Sequence, residues 1–295
     1  MRWKDGFEFE YGVAEEVSPL IRRIVARNPS PYTGPGTTTF VIGRGNVAII
    51  DPGPALPEHV DAVARAVAGE YVTHLLVSHT HSDHSPATQS LQAQTGGVCW
   101  AYGPSPTILD SLVDGAYDLT FRPDQTLRDG DRVRGPGWTL TALHTPGHAS
   151  NHLCFALEEE RILFTGDHVM GWSSSVIPPP DGDMTAYHES LVKLQSREDA
   201  AYWSSHGAVI ADPQERVATL LQTRERRAYE IMVRLQAGDI TARQIAAQIY
   251  PQLPDELTVA AAAMVLAQLI AFVRTGVVET GSTTPGISSV FRLRR

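Results

Sequence analysis

Residues 78–85 read Ser78-His79-Thr80-His81-Ser82-Asp83-His84-Ser85, placing three imidazoles and one carboxylate within six consecutive positions. A solvated loop is polar too, but four metal-capable side chains in so short a span exceed what a loop requires. The run THLLVS at 73–78 leads in as a strand, and Ser85-Pro86 followed by ATQSLQAQT reads as a helix stopped at Gly96-Gly97. The motif therefore occupies a strand-to-helix loop. His79 and His81, two apart on extended chain, point to one side, while Asp83 and His84 come from the turn beyond and face a second point nearby. One short loop can thus feed two metal ions.

Working outward, FVIG and VAIID around the turn RGN form a β-hairpin at about 40–51. Further strands are expected at 98–102, 138–144, 152–157 and 161–165, with helices near 62–69 and 184–195. This alternation argues for a layered α/β architecture. His148 in HTPGH, Asp167 in FTGDH and His206 in SSHG each follow an apolar segment and adjoin glycine, which suits a side chain projecting from a sheet edge into a cleft. Beyond Pro213 the pattern changes to a long helical run ending at Gly238, a shorter one at 241–249 opened by Thr241, and a third at about 257–274. VVET and SVFRLR close the chain as two strand-like pieces.

The series HxHxDH, then His, then Asp, then His resembles the metallo-β-lactamase fold superfamily of hydrolases, and all seven positions are matched in order over roughly residues 28–210. The resemblance implies a four-layer αβ/βα sandwich as residues 1–213, with a small winged-helix-like C-terminal domain as residues 214–295. It further implies that His79, His81 and His148 hold one metal, that Asp83, His84 and His206 hold the other, and that Asp167 bridges them. Asp83 and Asp167 are accordingly the expected catalytic carboxylates. Nitrogen and oxygen donors of this kind suit zinc best, with manganese or iron as alternatives. Two such ions hold a bridging hydroxide as nucleophile, since coordination lowers the pKa of water to ~7. The segments NPSPYTGPGTTTFVIG, HTPGHASNH and GDHVMGWSSSVIPPPDGDM, with the C-terminal unit, resemble the β-lactamase-like-2 branch, which includes an endoribonuclease acting on single-stranded RNA. DHSP and SSHG depart from the DHSGG and PGHG usual there.

The remaining histidines carry weaker signals. His144, His152 and His168 flank ligand positions and suit either orientation of a ligand or a structural role, and His59, His74 and His188 are read as structural or exposed. Asp51, closing VAIID, is either a partner of a ligand or a turn former. Cys99 and Cys154 sit among apolar residues and suit buried strand positions in a reducing compartment. The acidic N-terminus lacks the apolar run of a secretory signal, so a cytoplasmic location is expected. The uncharged stretch 257–273 reaches the lower length limit of a membrane span, but its alanines and Gln268 favour a buried helix, and no membrane partner is expected.

The net charge of −9 disfavours a generic polyanion binder. It is unevenly spread: from Glu215 onward 10 Arg face 7 Asp plus Glu, or +3, which leaves −12 for residues 1–214. Three function classes follow, in order of preference. The first is a metal-dependent hydrolase of small esters, thioesters or lactones, favoured by the acidic catalytic part. The second is a phosphodiesterase or ribonuclease acting on RNA, favoured by the branch resemblance. The third is a nucleic-acid-binding winged helix, disfavoured because residues 257–273 contain no Lys or Arg where a groove-reading helix needs them. Ser173, Ser174, Ser175 and Tyr187, near the Asp167 motif, are candidate contacts to a small-molecule substrate. The apolar third helix is expected to serve packing, pocket closure or a homodimer.

Overall fold

The computed structural model describes residues 1–4, 6–104, 117–238 and 240–294. A first sheet holds seven strands in chain order: β1 (Glu15–Glu16), β2 (Ile21–Val25), β3 (Thr38–Ile42), β4 (Asn46–Ile50), β5 (Tyr71–Leu76), β6 (Val98–Ala101) and β7 (Gln125–Thr126). β1 to β4 pair antiparallel, and β4 to β7 pair parallel. Parallel neighbours need a crossover; α1 (Pro57–Ala66) links β4 to β5, and α2 (Thr88–Thr95) links β5 to β6. The second sheet comprises β8 (Arg132–Gly135), β9 (Trp138–His144), β10 (Leu153–Leu157), β11 (Ile162–Gly166) and β12 (Ala201–Ser204), in the order β12-β11-β10-β9-β8. Its one parallel pair, β11 and β12, is connected through α3 (Met184–Gln195).

The sheets pack face to face through Phe40, Ile42, Ile50 and Leu76 on one side and Leu140, Phe155 and Phe164 on the other. The rings of Phe40 and Phe164 meet at 4.8 Å. On the outer face of the first sheet, Val41, Val47 and Ile49 pack on Val60 and Val63 of α1 and Leu91 of α2. Behind the second, Cys154, Leu163 and Tyr202 pack on Tyr187, Leu191 and Leu194 of α3. Strands β3, β10 and β11 are therefore buried on both faces, which is why they read as apolar runs without alternation. This is the expected four-layer αβ/βα sandwich.

The chain continues as α4 (Pro213–Ala237), α5 (Ala242–Ile249) and α6 (Thr258–Arg274), then the antiparallel pair β13 (Val278–Thr280) and β14 (Phe291–Leu293). Thr241 and Gln244 close a reciprocal capping box at the start of α5. The first half of α4 (Val217, Leu220, Leu221) packs behind the second sheet, and its second half (Ile231, Leu235) packs on α5 and α6. By length and composition, residues 255–274 could cross a membrane; here Ala263, Val265, Leu266 and Leu269 of α6 are buried in protein.

Two local expectations are corrected. The first helix spans 57–66 instead of 62–69, because Pro57 presets the helical φ of the first turn and His59, Val60, Ala62 and Val63 form the buried face. Strand β2 was not anticipated, since Arg22 and Arg23 interrupt its apolar run. Both arginines are tied down, Arg22 to Glu70 and Arg23 to Glu15, each at 2.7 Å.

Candidate active site

The parallel strands deliver the site. Asp51 follows β4, His79 follows β5, Asp167 follows β11 and His206 follows β12, so all four emerge at carboxyl ends of parallel strands, where open α/β sheets place their ligands. His148 follows β9, and Gly147 just before it has φ +143°, with the backbone of Tyr187 packed where a Cβ would stand. Only glycine allows the chain to pass so close to α3.

All seven expected ligand residues converge. His79, His81, His148 and Asp167 form one group whose donor atoms lie within 4.8 Å of one another, and Asp83, His84 and His206 form a second. In the first, Nδ1 of His81 stands 2.9 Å from both Nε2 of His79 and Nε2 of His148. In the second, Nε2 of His84 and Nε2 of His206 stand 3.3 and 3.4 Å from Oδ2 of Asp83. Asp167 turns one oxygen to each: Oδ2 is 3.6 Å from His148 Nε2, while Oδ1 is 3.1 Å from His206 Nε2 and 3.5 Å from His84 Nε2.

These distances suit divalent cations. An ion bound tetrahedrally at ~2.0–2.1 Å separates its donor atoms by about 3.3 Å, and the two imidazoles of the second group lie 3.1–3.5 Å from the oxygens of Asp83 and Asp167 that face them. His84 Nε2 and Asp167 Oδ1 are buried and lack a hydrogen-bond partner, as ligand atoms would without their ion. Protonation tells the same story. Burial, then His148, pushes the His81 imidazole down to about 3, leaving its lone pair free. Burial opposes charge on His206 as well, yet Asp167 and Asp83 raise it to about 10. His84 is likewise held well above its ordinary value by Asp83, Asp167 and Asp51, against the effect of burial. Protons thus occupy the carboxylate-rich half, where positive charge is favoured and a cation would replace them.

A surrounding shell fixes the candidate ligands. Asp51 accepts from His84 Nδ1 at 2.8 Å, from the Ser78 amide at 2.7 Å, from Ser78 Oγ at 2.8 Å and from Ser205 Oγ at 3.0 Å, so it is a partner of a candidate ligand as well as a turn residue. His148 Nδ1 donates to Val176 O at 2.6 Å, and His206 Nδ1 to Gly36 O at 3.2 Å. His152 Nε2 accepts from the Asp167 amide at 3.2 Å, so its Nδ1 proton goes to Thr145 Oγ1 at 2.9 Å. Thr37, which the pattern of ligands could not single out, donates to Asp83 Oδ2 at 2.8 Å. The only sequence signal for it is the segment 28–43 that contains it.

Of the four candidate substrate contacts, two face inward. Tyr187 is fully buried and donates to His168 O at 3.2 Å; Ser175 is also buried, its hydroxyl donating to the carbonyls of Asp167 and His168. Both brace the Asp167 loop from behind because that buried loop needs partners for its carbonyls. Ser173 and Ser174 are half-buried. His144 stacks on Tyr102 at 4.2 Å, and its Nε2 meets Ser150 O at 2.9 Å. Cys99 and Cys154 are free and buried.

A mixed α/β sandwich with His/Asp clusters at the carboxyl edge of its sheets defines a class of metal-dependent hydrolases. A family model described as the Metallo-beta-lactamase superfamily matches residues 31–206, and the chain belongs to that superfamily. An atrochrysone carboxyl ACP thioesterase from Cryptosporiopsis sp. (strain 8999) is 32% identical over 229 residues, which cover 75% of this chain and 65% of that protein. A protein of the same name from Aspergillus chevalieri is 31% identical over 255 residues, covering 83% and 77%. Among solved structures, a Beta-lactamase domain protein from Burkholderia ambifaria superposes with a TM-score of 0.79 at 19% identity, covering 99% of this chain and 97% of that one. A metallo-beta-lactamase family protein from Thermus thermophilus gives 0.74 at 21% identity, covering 95% and 100%. Both likenesses concern the fold, and they extend through almost the whole chain.

Proposed function

We propose that the protein is a dinuclear, zinc-dependent thioesterase that hydrolyses acyl thioesters. The observation that carries the dinuclear reading is Asp167, whose two oxygens face different groups of ligands. His79, His81 and His148 would hold one ion and Asp83, His84 and His206 the other, all through nitrogen or oxygen donors suited to zinc. When bound, the ions would supply a hydroxide nucleophile at neutral pH and polarise the substrate carbonyl. Thr37 keeps Asp83 turned toward His84 and His206, and Asp51 does the same for His84. A thiol with pKa near ~8.5 departs as thiolate without help from an acid, so a thioester asks of these residues only binding and orientation. The two thioesterase-named relatives support this choice among the ester, thioester and lactone substrates.

We read residues 214–295 as a winged-helix-like unit that closes the cleft. In support, the Ile177 amide meets Met264 Sδ at 2.9 Å and Tyr32 Oη meets Glu256 O at 3.4 Å, so the unit touches two loops beside the ligands.

The test is a substrate panel with zinc-loaded protein: acyl N-acetylcysteamine thioesters, matched oxygen esters, lactones, bis-p-nitrophenyl phosphate and single-stranded RNA. Thioester hydrolysis that disappears on chelation is expected. Cleavage of the phosphodiester or RNA with no turnover of thioesters would defeat the reading.

A further inference from the structure

Arg224 of α4 is only 7% exposed. Its Nη2 donates to Ser174 Oγ at 3.3 Å, and its buried Nε has no partner. Among the described residues no carboxylate forms an ion pair with it, and Glu230 on the same helix is engaged by Arg227 at 2.5 Å. A guanidinium does not lose its proton in a protein, so a full positive charge is held in the interior, where an isolated charge is strongly disfavoured. The buried Tyr187 hydroxyl interacts electrostatically with Arg224, yet burial raises its pKa. It therefore stays neutral and provides no counter-charge.

Beside Arg224 lies a cavity of about 10 Å³ between α4, α5, α6 and the start of α3. Arg224, Arg227, Tyr250 and Gln268 supply its polar lining, Ile231 and Met264 are among its apolar walls, and no carboxylate lines it. The Arg227 guanidinium lies 4.6 Å over the Tyr250 ring, which holds it at the edge of the cavity. The space is small, which suits a monatomic ion better than a carboxylate or a phosphate. We propose that this cavity is a monatomic-anion site, occupied by chloride, that neutralises Arg224 with Arg227 as its second cationic neighbour.

The site has a structural consequence for the metal ligands. Arg224 holds Ser174, Met264 holds the Ile177 amide, and Val176 between them carries the carbonyl that fixes His148. Chloride would thereby steady the loop behind a ligand while remaining outside the ligand cluster.

Bromide-soaked crystals of the zinc-loaded protein, measured at the bromine edge, test occupancy directly. Thermal melts in sodium chloride against sodium gluconate, at constant ionic strength, test the linkage. We expect an anomalous peak between the guanidinium groups of Arg224 and Arg227, and a saturable rise in Tm on the order of 3 °C with chloride. Arg224→Met removes the charge together with the need for a counter-ion, so the part of the chloride response that this site supplies should be absent from its Tm. Because Arg224→Met keeps the metal ligands, any effect of chloride at that centre persists in it and is subtracted. If that variant does not fold, Arg227→Gln decides, with a response displaced to at least ~10-fold higher chloride expected for loss of a charged donor. Absence of the bromide peak, or a wild-type chloride response in either variant, overturns the proposal.

Discussion

Asp51 Oδ2 lies 2.8 Å from Nδ1 of His84, and this contact turns the opposite ring nitrogen toward Asp83 and Asp167. Asp51 has φ +49°, a left-handed conformation that Asn tolerates. Asp51→Asn should therefore keep the backbone while removing the charge that orients His84. Metal affinity is expected to fall ~10- to 100-fold, read by competition with a chromogenic chelator. Wild-type affinity would show that His84 is held by packing alone.

Metal loading should release protons. In the metal-free protein Asp167 and Asp83 raise His206 to about 10 despite its burial, so that imidazole is protonated at pH 7 and must lose its proton to bind a cation. Titration calorimetry in buffers of different ionisation enthalpy measures this directly. The apparent binding enthalpy should vary with the buffer; a buffer-independent value contradicts the protonation assignment.

The metal-free protein should also lose stability on both sides of neutrality. His206 has a folded pKa raised from 6.5 to about 10, so its contribution is complete below pH ~6.5 and disappears as pH rises through about 10. His81 is lowered to about 3, by burial first and His148 second, so its contribution is complete above pH ~6.5 and disappears as pH falls toward 3. Chelator-treated protein melted from pH 4 to 10, about the range these pKa values span, should show a Tm maximum in the middle. A Tm that climbs steadily to the alkaline end would be inconsistent with this.

Gly147→Ala would drive a Cβ to 2.4 Å from the Tyr187 Cα while forcing an L-residue to φ +143°. A destabilisation on the order of 3 kcal/mol follows from strain and overpacking, measurable by urea denaturation of the metal-free protein. Because His148 is the next residue, zinc affinity should fall as well. A variant equal to wild type in both respects would show that the loop relaxes freely.

The candidate ligands were legible because they are chemically distinctive side chains in the loops that follow apolar strands, a pattern that survives without knowledge of the third dimension. The doubly buried strands were legible too, since FVI, LCFAL and ILF are apolar on both faces. Strand β2 was hidden by two arginines whose partners, Glu15 on the short neighbouring strand and the more distant Glu70, only the fold brings alongside. Ser175 and Tyr187 misled for a related reason: a polar residue near a ligand motif is equally suited to the cleft or to the carbonyls beneath it. Only the fold distinguishes the two. Arg224 reads as a solvated charge beside Arg226 and Arg227, as an arginine in an amphipathic helix does, and its burial depends on how α4 meets the Asp167 loop.

The account rests on Asp167 serving two ions at once. The most direct measurement is metal analysis of the zinc-loaded, desalted protein beside Asp167→Ala, with circular dichroism confirming that the variant is folded. The account predicts close to two zinc ions per wild-type chain and a marked loss in the variant, together with its thioesterase activity, because the substitution removes the oxygen that faces each group. A wild-type value that saturates at one, or a variant that keeps both ions, would contradict it.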